Sequence, residues 1–371
     1  MTYLEAGIEV IKLLESNGYE AYFVGGFVRD YLLGEECNDI DIATNALPGA
    51  VSTIFNVNKT GILYNCVTIN YEGYKFETTT YRKEISYNDN RHPVYEVTNT
   101  LLDDLKRRDF TVNAMAMDKD LKLIDIFSGL DDLKNKLIKT VFEPQKRFTE
   151  DALRMLRAAY FAAKLDFKIA DDTLLGMKKC SYLVQNLSND RICWELEKII
   201  NTKHQIIGFK YLIETNIAPY LLQFKNAIYL AVEKNITFDW PLFIAISYYD
   251  NPDEIEFLHL KSSLNNQIVS AIKLSKELKK NTFTKDILFD YPQHVLLLAN
   301  DLNVILKKCK DQREFILKEY PLLKIHSLSD LAINGNDIIE NITVKDNKII
   351  KEILLKLKHL VVNNKIENSK E

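Results

Sequence analysis

The chain has 371 residues, more than one small hydrophobic core usually organises, so its length predicts two or more domains. Its composition, 47% hydrophobic and 27% charged residues, is typical of a globular protein, and the lack of an apolar run near roughly 18 residues or of a basic N-terminal leader argues against a membrane-spanning or secreted protein. The net charge of −4 disfavours a protein that coats nucleic acid without specificity.

The spacing of the cysteines and the distribution of charge along the chain further limit the class of protein. The five cysteines lie far apart, without a CxxC pair or histidines at metal-ligand spacing, which predicts a reduced cytoplasmic protein without disulfides or structural zinc. Residues 261–371 contain 19 Lys and Arg against 14 Asp and Glu, so this region carries about +5 and residues 1–260 about −9. This charge asymmetry fits a polyanion bound by residues 261–371 and a carboxylate site within residues 1–260. A general bias of the composition toward lysine explains it equally well.

In chain order, an amphipathic helix opens the sequence, and residues 20–140 then alternate short β-like runs with helices. AYFV predicts a strand, and FVRDYLLG predicts a short helix that ends at Gly34. DIDIA predicts a second strand. NCVTINY and YKFETTTY alternate with period two around the two-residue turn EG, which predicts a hairpin. TVNAMAMD and KLIDIF predict further short elements, so we expect a small mixed or antiparallel sheet with helices.

The pattern changes twice beyond that hairpin. Between Arg82 and Thr98 the sequence is polar and non-periodic and contains one proline, which predicts a long loop that is either functional or disordered. From about Thr149 to the C-terminus, apolar residues recur at helical spacing, which predicts an all-α region. The chain is therefore expected to be α+β first and all-α afterwards.

Asp39 and Asp41 stand one residue apart on the predicted strand DIDIA, so both carboxylates project from one face. Like charges this close repel each other unless a cation lies between them, and oxygen ligands of this kind suit Mg²⁺. Two such ions can activate an attacking hydroxyl and hold a triphosphate for in-line transfer. For a DxD tripeptide alone, a solvated strand edge with two exposed acids is the alternative.

Gly25 and Gly26 follow the first predicted strand directly and precede a helix that carries Arg29. Backbone N–H groups at such a turn can approach a phosphate closely, with a guanidinium behind them. The spacing is neither GxGxxG nor that of a Walker A loop, so a Rossmann or P-loop assignment fails. A plain tight turn is the alternative, although GG, VRD and DID together are more specific than any one of them.

A third acid and a basic cluster follow along the chain. On YKFETTTY, Glu77 points away from Phe76, so it faces the aspartates if Phe76 faces the core, and an exposed strand glutamate is the alternative. KRRDFTVNAMAMD places Arg108, Asp109 and Asn113 beside an apolar run. This indicates a polar lining on a buried element that could contact ribose hydroxyls and phosphates, with a surface charge cluster as the alternative.

RFTEDALRMLRAAYFAAKL predicts the most informative helix. Thr149 is a candidate N-cap, which would place Glu150 and Asp151 in the first turn, where the helix dipole favours acids. At about 100° per residue, Asp151 and Arg154 are then neighbours on the face opposite the apolar stripe, which includes Tyr160. An ordinary helical ion pair is one interpretation of the two charges.

The other interpretation is a reader of nucleobases. Cytosine and adenine each present an exocyclic amino donor beside a ring-nitrogen acceptor. A carboxylate such as that of Asp151 accepts from the amino group, and a guanidinium such as that of Arg154 donates to the ring nitrogen. Uracil and guanine present the opposite order along this edge and would be rejected.

These segments together resemble the class II tRNA nucleotidyltransferases, the bacterial CCA-adding enzymes, with their relatives the poly(A) polymerases. The resemblance rests on GGFVRDYLLG, NDIDIAT, RRDFTVNAMAMD, RFTEDALRMLRAAYF and LSNDRICWELEKI, and covers Tyr19 to about Ile200. It implies an α+β nucleotidyltransferase head over residues 1–140. It further implies a helical neck with the nucleotide-selecting helix over residues 141–200, and an all-α body and tail that bind tRNA over residues 201–371.

The resemblance also implies roles for individual residues. Asp39 and Asp41 would hold Mg²⁺, and Glu77 would complete the catalytic acids. The residues implied to bind the nucleotide are Gly25, Gly26, Arg29, Arg108, Asp109, Asn113, Asp151, Arg154 and Arg157. The segment from Arg82 to Val97 matches a flexible loop that relatives adding only CC lack. Tyr160 departs from the family pattern, which often has arginine at this position.

The activity implied by the resemblance is the addition of C, C and A to the 3′ end of tRNA, without a template, from CTP and ATP and with release of pyrophosphate. The implied partners are the 3′ end and the acceptor and TΨC region of tRNA in the cytoplasm, with no membrane and no obligatory protein partner. An A-adding enzyme of a split CC/A system and a poly(A) polymerase share every motif and stay open as alternatives. A non-catalytic RNA-binding protein on the same scaffold is disfavoured by the intact acids and by Arg154.

Overall fold

The computed structural model describes residues 1–37, 39–58, 65–87, 93–278, 280, 282–342 and 347–370. The chain forms two compact units, Met1–Thr237 and Phe238–Glu371. Among the described helices, none combines the length and the apolar composition that crossing a membrane requires. The finer division predicted at residues 140 and 200 stays a prediction.

The strands lie in the first unit. In chain order they are β1 (Ala21–Val24), β2 (Ile40–Thr44), β3 (Asn56–Asn58), β4 (Cys66–Tyr71), β5 (Tyr74–Thr80), β6 (Arg82–Tyr87), β7 (Pro93–Val97), β8 (Met115–Met117), β9 (Leu123–Asp125), β10 (Leu137–Ile138) and β11 (Lys168–Ile169). Seven of them form one sheet in the order β3-β4-β5-β2-β1-β8-β9, while β6 pairs with β7 and β10 with β11. Within the sheet, β2 and β5 run parallel and the other neighbours antiparallel. The predicted small mixed sheet is confirmed.

Helices cover the rest of both units. Those of the first unit are α1 (Tyr3–Ser16), α2 (Gly26–Leu32), α3 (Pro48–Ile54), α4 (Leu101–Lys106), α5 (Gly129–Lys134), α6 (Pro144–Glu150), α7 (Leu153–Leu165), α8 (Asp171–Cys180), α9 (Asn189–Ile200), α10 (Gln205–Glu214) and α11 (Phe224–Lys234). Those of the second unit are α12 (Trp240–Ser247), α13 (Ser262–Glu277), α14 (Lys285–Asp290), α15 (Gln293–Lys307), α16 (Arg313–Glu319), α17 (Gly335–Ile342) and α18 (Asn347–Val362). The described part of the second unit contains no strand, so the prediction of an all-α C-terminal region is confirmed there.

The hairpin of β4 and β5 positions one of the predicted acids. Tyr71 pairs with Tyr74 across a two-residue turn, in which Glu72 has φ 50° and Gly73 has φ 82°. These left-handed values are those of a type I′ turn, whose twist matches that of the flanking strands. The turn fixes the register of β5, which buries Phe76 completely and runs parallel to β2.

The polar segment after this hairpin differs from the prediction. Instead of one long loop between Arg82 and Thr98, it contains the antiparallel strands β6 and β7, with an irregularity between Glu84 and Ser86. Two strands can pair through their backbones without an alternation of apolar and polar residues, so period two did not reveal them in the sequence. The connection between the two strands, residues 88–92, lies outside the described residues.

Candidate functional site

The site begins at the end of β1, where Gly25 precedes α2. Gly25 has φ 71°, in the left-handed region that favours glycine. A Cβ there would lie 3.0 Å from Nη1 of Arg108 and 3.3 Å from Oδ2 of Asp41. Gly25 is therefore required both for the backbone conformation and for the close approach of these side chains. A Cβ on Gly26 would make an ordinary contact, 3.6 Å from Nη2 of Arg29.

Three carboxylates come together beside β2 and β5. Asp41 and Glu77 are register partners on these neighbouring strands, so their side chains share one face of the sheet. Asp39 is exposed and lies two residues before Asp41, just ahead of β2. Burial and the adjacent charge of Asp39 raise the pKa of Asp41 to about 6, and Arg108 acts in the opposite direction. The structure thus brings the three predicted acids together near the start of β2, in a region that we call the acid edge.

Arg107 and Arg108 are held by one buried acid. Asp104 has no exposed surface and accepts hydrogen bonds from Nε of Arg107 at 2.9 Å and from Nη2 of Arg108 at 3.1 Å. Burial acts to raise the pKa of Asp104, but the two guanidinium groups outweigh it and hold that pKa below its ordinary value. Both arginines line a pocket of about 300 Å³ with Asp41 and Glu77, so fixed positive charges face the acid edge.

A second network fixes four of the predicted residues. Nη1 of Arg29 donates to Oδ1 of Asn113 at 2.6 Å, and Nδ2 of Asn113 donates to Oδ1 of Asp109 at 3.2 Å. Nε of Arg157 donates to Oδ2 of Asp109 at 2.7 Å. Burial acts to raise the pKa of Asp109, but Arg157 and the hydrogen bond from Asn113 hold that pKa below its ordinary value. Asp109 therefore holds one arginine directly and the other through an amide.

The helix predicted from Thr149 is in fact two helices with a break at Asp151. α6 begins at Pro144, whose fixed φ suits the first helical position, and it ends at Glu150. Thr149 lies in its last turn and is not an N-cap, so that prediction is wrong. Asp151 is extended, with φ −149° and ψ 108°, and its Oδ1 accepts from the N–H of Leu153 at 3.0 Å. The carboxylate at the start of α7 is therefore that of Asp151.

Asp151 and Arg154 have different partners. Nη2 of Arg191 donates to both carboxylate oxygens of Asp151, at 3.0 and 2.9 Å. Arg154 is 6% exposed, and its Nη1 donates to Oε2 of Glu150 at 2.8 Å and to the carbonyl oxygen of Arg147 at 3.1 Å. The predicted placement of both charges on one helical face away from the core is wrong, because Asp151 precedes the helix and Arg154 is buried.

Two arginines that the sequence prediction missed hold this corner together. Arg147 is 5% exposed; its Nη2 donates to the carbonyl oxygens of Arg107 and Arg108 at 2.7 Å each, and its Nη1 pairs with Glu150. Arg191 on α9 holds the carboxylate at the helix break. The pair of Arg147 and Glu150 has i,i+3 spacing, which the sequence could have revealed. Nothing local connects Arg191 with a partner 40 positions away.

All the predicted nucleotide-binding residues line one cavity of about 610 Å³, which we call the arginine cavity. Asp41 also lines this cavity, whereas Glu77 lines the smaller pocket beside it. Tyr160, which the helical wheel placed on the apolar face, lines the arginine cavity together with Phe161 and Lys198. Leu153 and Arg157, which lie within about 60° of Tyr160 on the same side of α7, also line the cavity, so this side of the helix is not confined to the core.

Three family models match the sequence. Residues 21–139 match the Poly A polymerase head domain, and residues 166–227 match the "Probable RNA and SrmB- binding site of polymerase A". Residues 237–371 match the tRNA nucleotidyltransferase domain 2. The acid edge falls within the first match and Arg191 within the second.

Individual relatives are similar over nearly the whole chain. The CCA-adding enzyme of Limosilactobacillus reuteri (strain DSM 20016) is 37% identical over 374 residues, which cover 97% of this chain and 93% of the relative. The CCA-adding enzyme of Ligilactobacillus salivarius (strain UCC118) is 36% identical over 379 residues, with 98% and 93% coverage. Among solved structures, the Bacillus stearothermophilus CCA-adding enzyme in complex with CTP is similar with a TM-score of 0.86 and 29% identity, over 100% of this chain and 95% of that one.

Proposed function

The chain belongs to the family of CCA-adding enzymes, and we propose that it carries out the reaction of this family where the acid edge meets the arginine cavity. The reaction is the template-independent addition of C, C and A to the 3′ end of tRNA, with CTP and ATP as substrates and release of pyrophosphate. The observation that supports this location is the position of Asp41, which borders both the arginine cavity and the pocket of Glu77.

The acid edge fits a divalent cation. Asp39, Asp41 and Glu77 bring like charges together, and burial, with the charges of Asp39 and Glu77 added to it, raises the pKa of Asp41. Enzymes that transfer nucleotidyl groups generally use divalent metals, and carboxylate oxygens suit Mg²⁺. The described residues hold no cluster of three or more His, Cys, Asp or Glu at ligand distances, and Mg²⁺ is usually held by one or two carboxylates together with substrate phosphates.

We assign Asp39 and Asp41 as the ligands of Mg²⁺, with Glu77 as the third acid beside them. Two such ions, when bound, would lower the pKa of the terminal ribose hydroxyl and neutralise charge on the α-phosphate. The protein's own contribution is to hold the carboxylates of Asp41 and Glu77 on one face of the sheet and to place Arg107 and Arg108 opposite them.

The arginines would hold the triphosphate. Asp104 fixes Arg107 and Arg108, and Asp109 fixes Arg157. Arg29 is held by Asp30 and by Asn113. Guanidinium groups held in this way can donate their remaining N–H groups to phosphate oxygens. Because their positions are set before binding, less side-chain entropy is lost when the nucleotide arrives.

Asp151 and Arg154 would select the base. Arg191 orients the carboxylate of Asp151 as an acceptor for the exocyclic amino group of cytosine or adenine. Arg154, oriented by Glu150, would donate to the adjacent ring nitrogen. Uracil would instead bring a carbonyl oxygen to the carboxylate and an N–H to the guanidinium, so both contacts would be repulsive.

Nucleotide addition to three tRNA substrates tests the assignment. The substrates are tRNA lacking CCA, tRNA ending in C and tRNA ending in CC, each offered CTP alone or ATP alone with Mg²⁺. We expect C to be added to the first two and A to the third, and we expect chelation by EDTA to stop all three until Mg²⁺ is restored. Failure to use CTP together with addition of A to tRNA lacking CCA would contradict the proposal.

We also propose that the protein acts in the cytoplasm, where tRNA, CTP and ATP meet. Fractionation of cells that produce it should recover the addition activity in the cytoplasmic fraction. Recovery of the activity with the membrane fraction would contradict this part of the proposal.

A further inference from the structure

α9 presents a row of side chains toward the arginine cavity. Arg191 donates to Asp151, which lines the cavity, and Lys198 lines it directly. Trp194 lies three residues after Arg191 and four before Lys198, so at about 100° per residue it shares their face of α9. Because Lys198 lines the cavity and Arg191 contacts Asp151, which also lines it, Trp194 stands near the rim.

Trp194 is 68% exposed, more than any other large apolar side chain in the part of the chain that the structure describes. A single exposed aromatic residue needs no explanation by itself. Here, however, the ammonium of Lys198 lies 5.1 Å from the centre of the Trp194 ring and 5.8 Å from that of Tyr160. The same ammonium donates to the buried Glu195 at 2.8 Å. A row of ring, cation and ring therefore runs from the cavity to the solvent.

We propose that Trp194 stacks on an unpaired nucleobase at the 3′ end of the RNA substrate, with the Lys198 ammonium beside the neighbouring phosphate. The inference rests on the proposed function, which brings such an end to the cavity. Aromatic side chains next to basic ones bind single-stranded RNA in this manner. Stacking accepts every base, because each base has a π-face. Such a contact suits an RNA end whose last nucleotide changes with each addition.

Replacement of Trp194 tests the inference through the KM values of the two kinds of substrate. Trp194→Leu should raise the KM for tRNA lacking CCA by about 5- to 150-fold, the range expected for loss of one base–aromatic stack. The KM for CTP should stay the same, since the stacked base belongs to the RNA. Trp194→Phe keeps a ring and should preserve most of the affinity for tRNA. Tyr182→Leu removes a ring that is 50% exposed and does not line the cavity, and serves as the matched control.

Fluorescence gives a second measurement that requires no catalysis. The sequence contains two tryptophans, and Trp240 is 7% exposed. A Trp240→Phe variant therefore reports on Trp194 alone. Without nucleotides, tRNA lacking CCA should quench this emission, because a stacked base contacts the indole ring. A double-stranded RNA with a blunt end should bind without quenching.

Two results would overturn the inference. One is an unchanged KM for tRNA in Trp194→Leu together with tRNA binding that leaves the emission of Trp194 unaltered. The other is a rise confined to the KM for CTP, which would place Trp194 beside the incoming nucleotide instead. The proposed function fails separately, when the unaltered protein adds neither C nor A, and the quenching by RNA can be measured in that case too.

Discussion

The acids in and around the candidate site form two groups that differ in how their negative charge is balanced. Asp104 and Asp109 are buried, and despite that burial the arginines beside them hold their pKa values below the ordinary range. Asp41 shifts in the opposite direction, since burial and Asp39 raise its pKa to about 6. The first group is neutralised within the fold. The acid edge, which also includes Glu77, is left with a repulsion that a divalent cation would relieve.

This difference in pKa separates two roles. Asp104 and Asp109 position arginine side chains, whereas the acid edge is suited to binding a cation. A carboxylate that already holds an arginine is suited to fixing that arginine, and its removal leaves a buried positive charge without compensation. A carboxylate surrounded by like charges gains most when a cation arrives. Loss of an acid from the first group should therefore reduce stability, and loss of one from the acid edge should reduce activity.

Asp41→Asn should have the largest effect of these substitutions on the rate of nucleotide addition. A small effect would contradict the distinction between the acid edge and the acids that hold arginines. Loss of a metal ligand removes several kcal/mol of transition-state stabilisation, so the rate of C addition should fall by about 10³-fold or more. The melting temperature should stay the same or rise, because repulsion with Asp39 and Glu77 is relieved. Single-turnover addition of CTP and thermal unfolding measure the two quantities.

The matched control for that change is Asp120→Asn, which removes an exposed acid from a turn. It should alter neither the rate nor the melting temperature. A rate for Asp41→Asn within about tenfold of the unaltered enzyme would mean that this carboxylate holds no catalytic metal.

Asp104→Asn should show the opposite pattern, with stability as the main loss. The substitution leaves Arg107 and Arg108 without their buried counter-charge, so the free energy of unfolding should fall by about 3–5 kcal/mol. Asp103→Asn is the matched control, because Asp103 pairs with Lys106 nearer the surface, where such pairs contribute about 1 kcal/mol or less. Urea unfolding followed by circular dichroism compares the two variants, and equal losses would contradict the distinction between the groups.

The features that the sequence predicted correctly depend on neighbours along the chain. The turn Glu72-Gly73 and the period-two runs around it predict the hairpin, because turn chemistry and alternation are local. DIDIA likewise predicts a strand, which is confirmed for Asp41 in β2, whereas Asp39 lies just before that strand. The arginines near Asp109 were expected to line the site because an apolar run follows them, and they do line the cavity.

The features that the sequence did not predict depend on tertiary contacts. Asp41 lies opposite Glu77 because β2 pairs with β5 in one register, which neither strand specifies by itself. Arg191 reaches Asp151 only because α9 packs beside the start of α7. Thr149 has the residue type of an N-cap, but Pro144 starts a helix earlier, and the local preference of Thr149 is overridden.

Asp151→Ala should change nucleotide choice more than overall rate. Asp151 is paired with Arg191, as Asp104 and Asp109 are paired with their arginines, so this variant tests whether a paired acid can also bind the substrate. Without the acceptor for the amino group, the ratio of kcat/KM for CTP to that for UTP should fall by about 10- to 100-fold. Initial rates with each nucleotide on tRNA lacking CCA give this ratio. A uniform loss of rate with an unchanged ratio would show that Asp151 supports the helix break and does not read the base.

Arg191→Gln should have the smallest effect on nucleotide choice. It tests whether the selection of CTP depends on the orientation of the Asp151 carboxylate as well as on its presence. Glutamine can donate one hydrogen bond to the carboxylate but carries no charge, so Asp151 would keep a weaker support. We expect the preference for CTP over UTP to fall by about three- to tenfold, less than in Asp151→Ala, with Arg191→Lys between Arg191→Gln and the unaltered enzyme. Lys178→Gln, which removes a charge from an exposed pair with Glu214, should leave the preference unchanged. An equal loss of rate for all nucleotides in Arg191→Gln would mean that Arg191 only stabilises the fold. In that case the acids paired with arginines, such as Asp104 and Asp109, would orient the phosphate-binding arginines, and the pair of Asp151 and Arg191 would not set the choice of base.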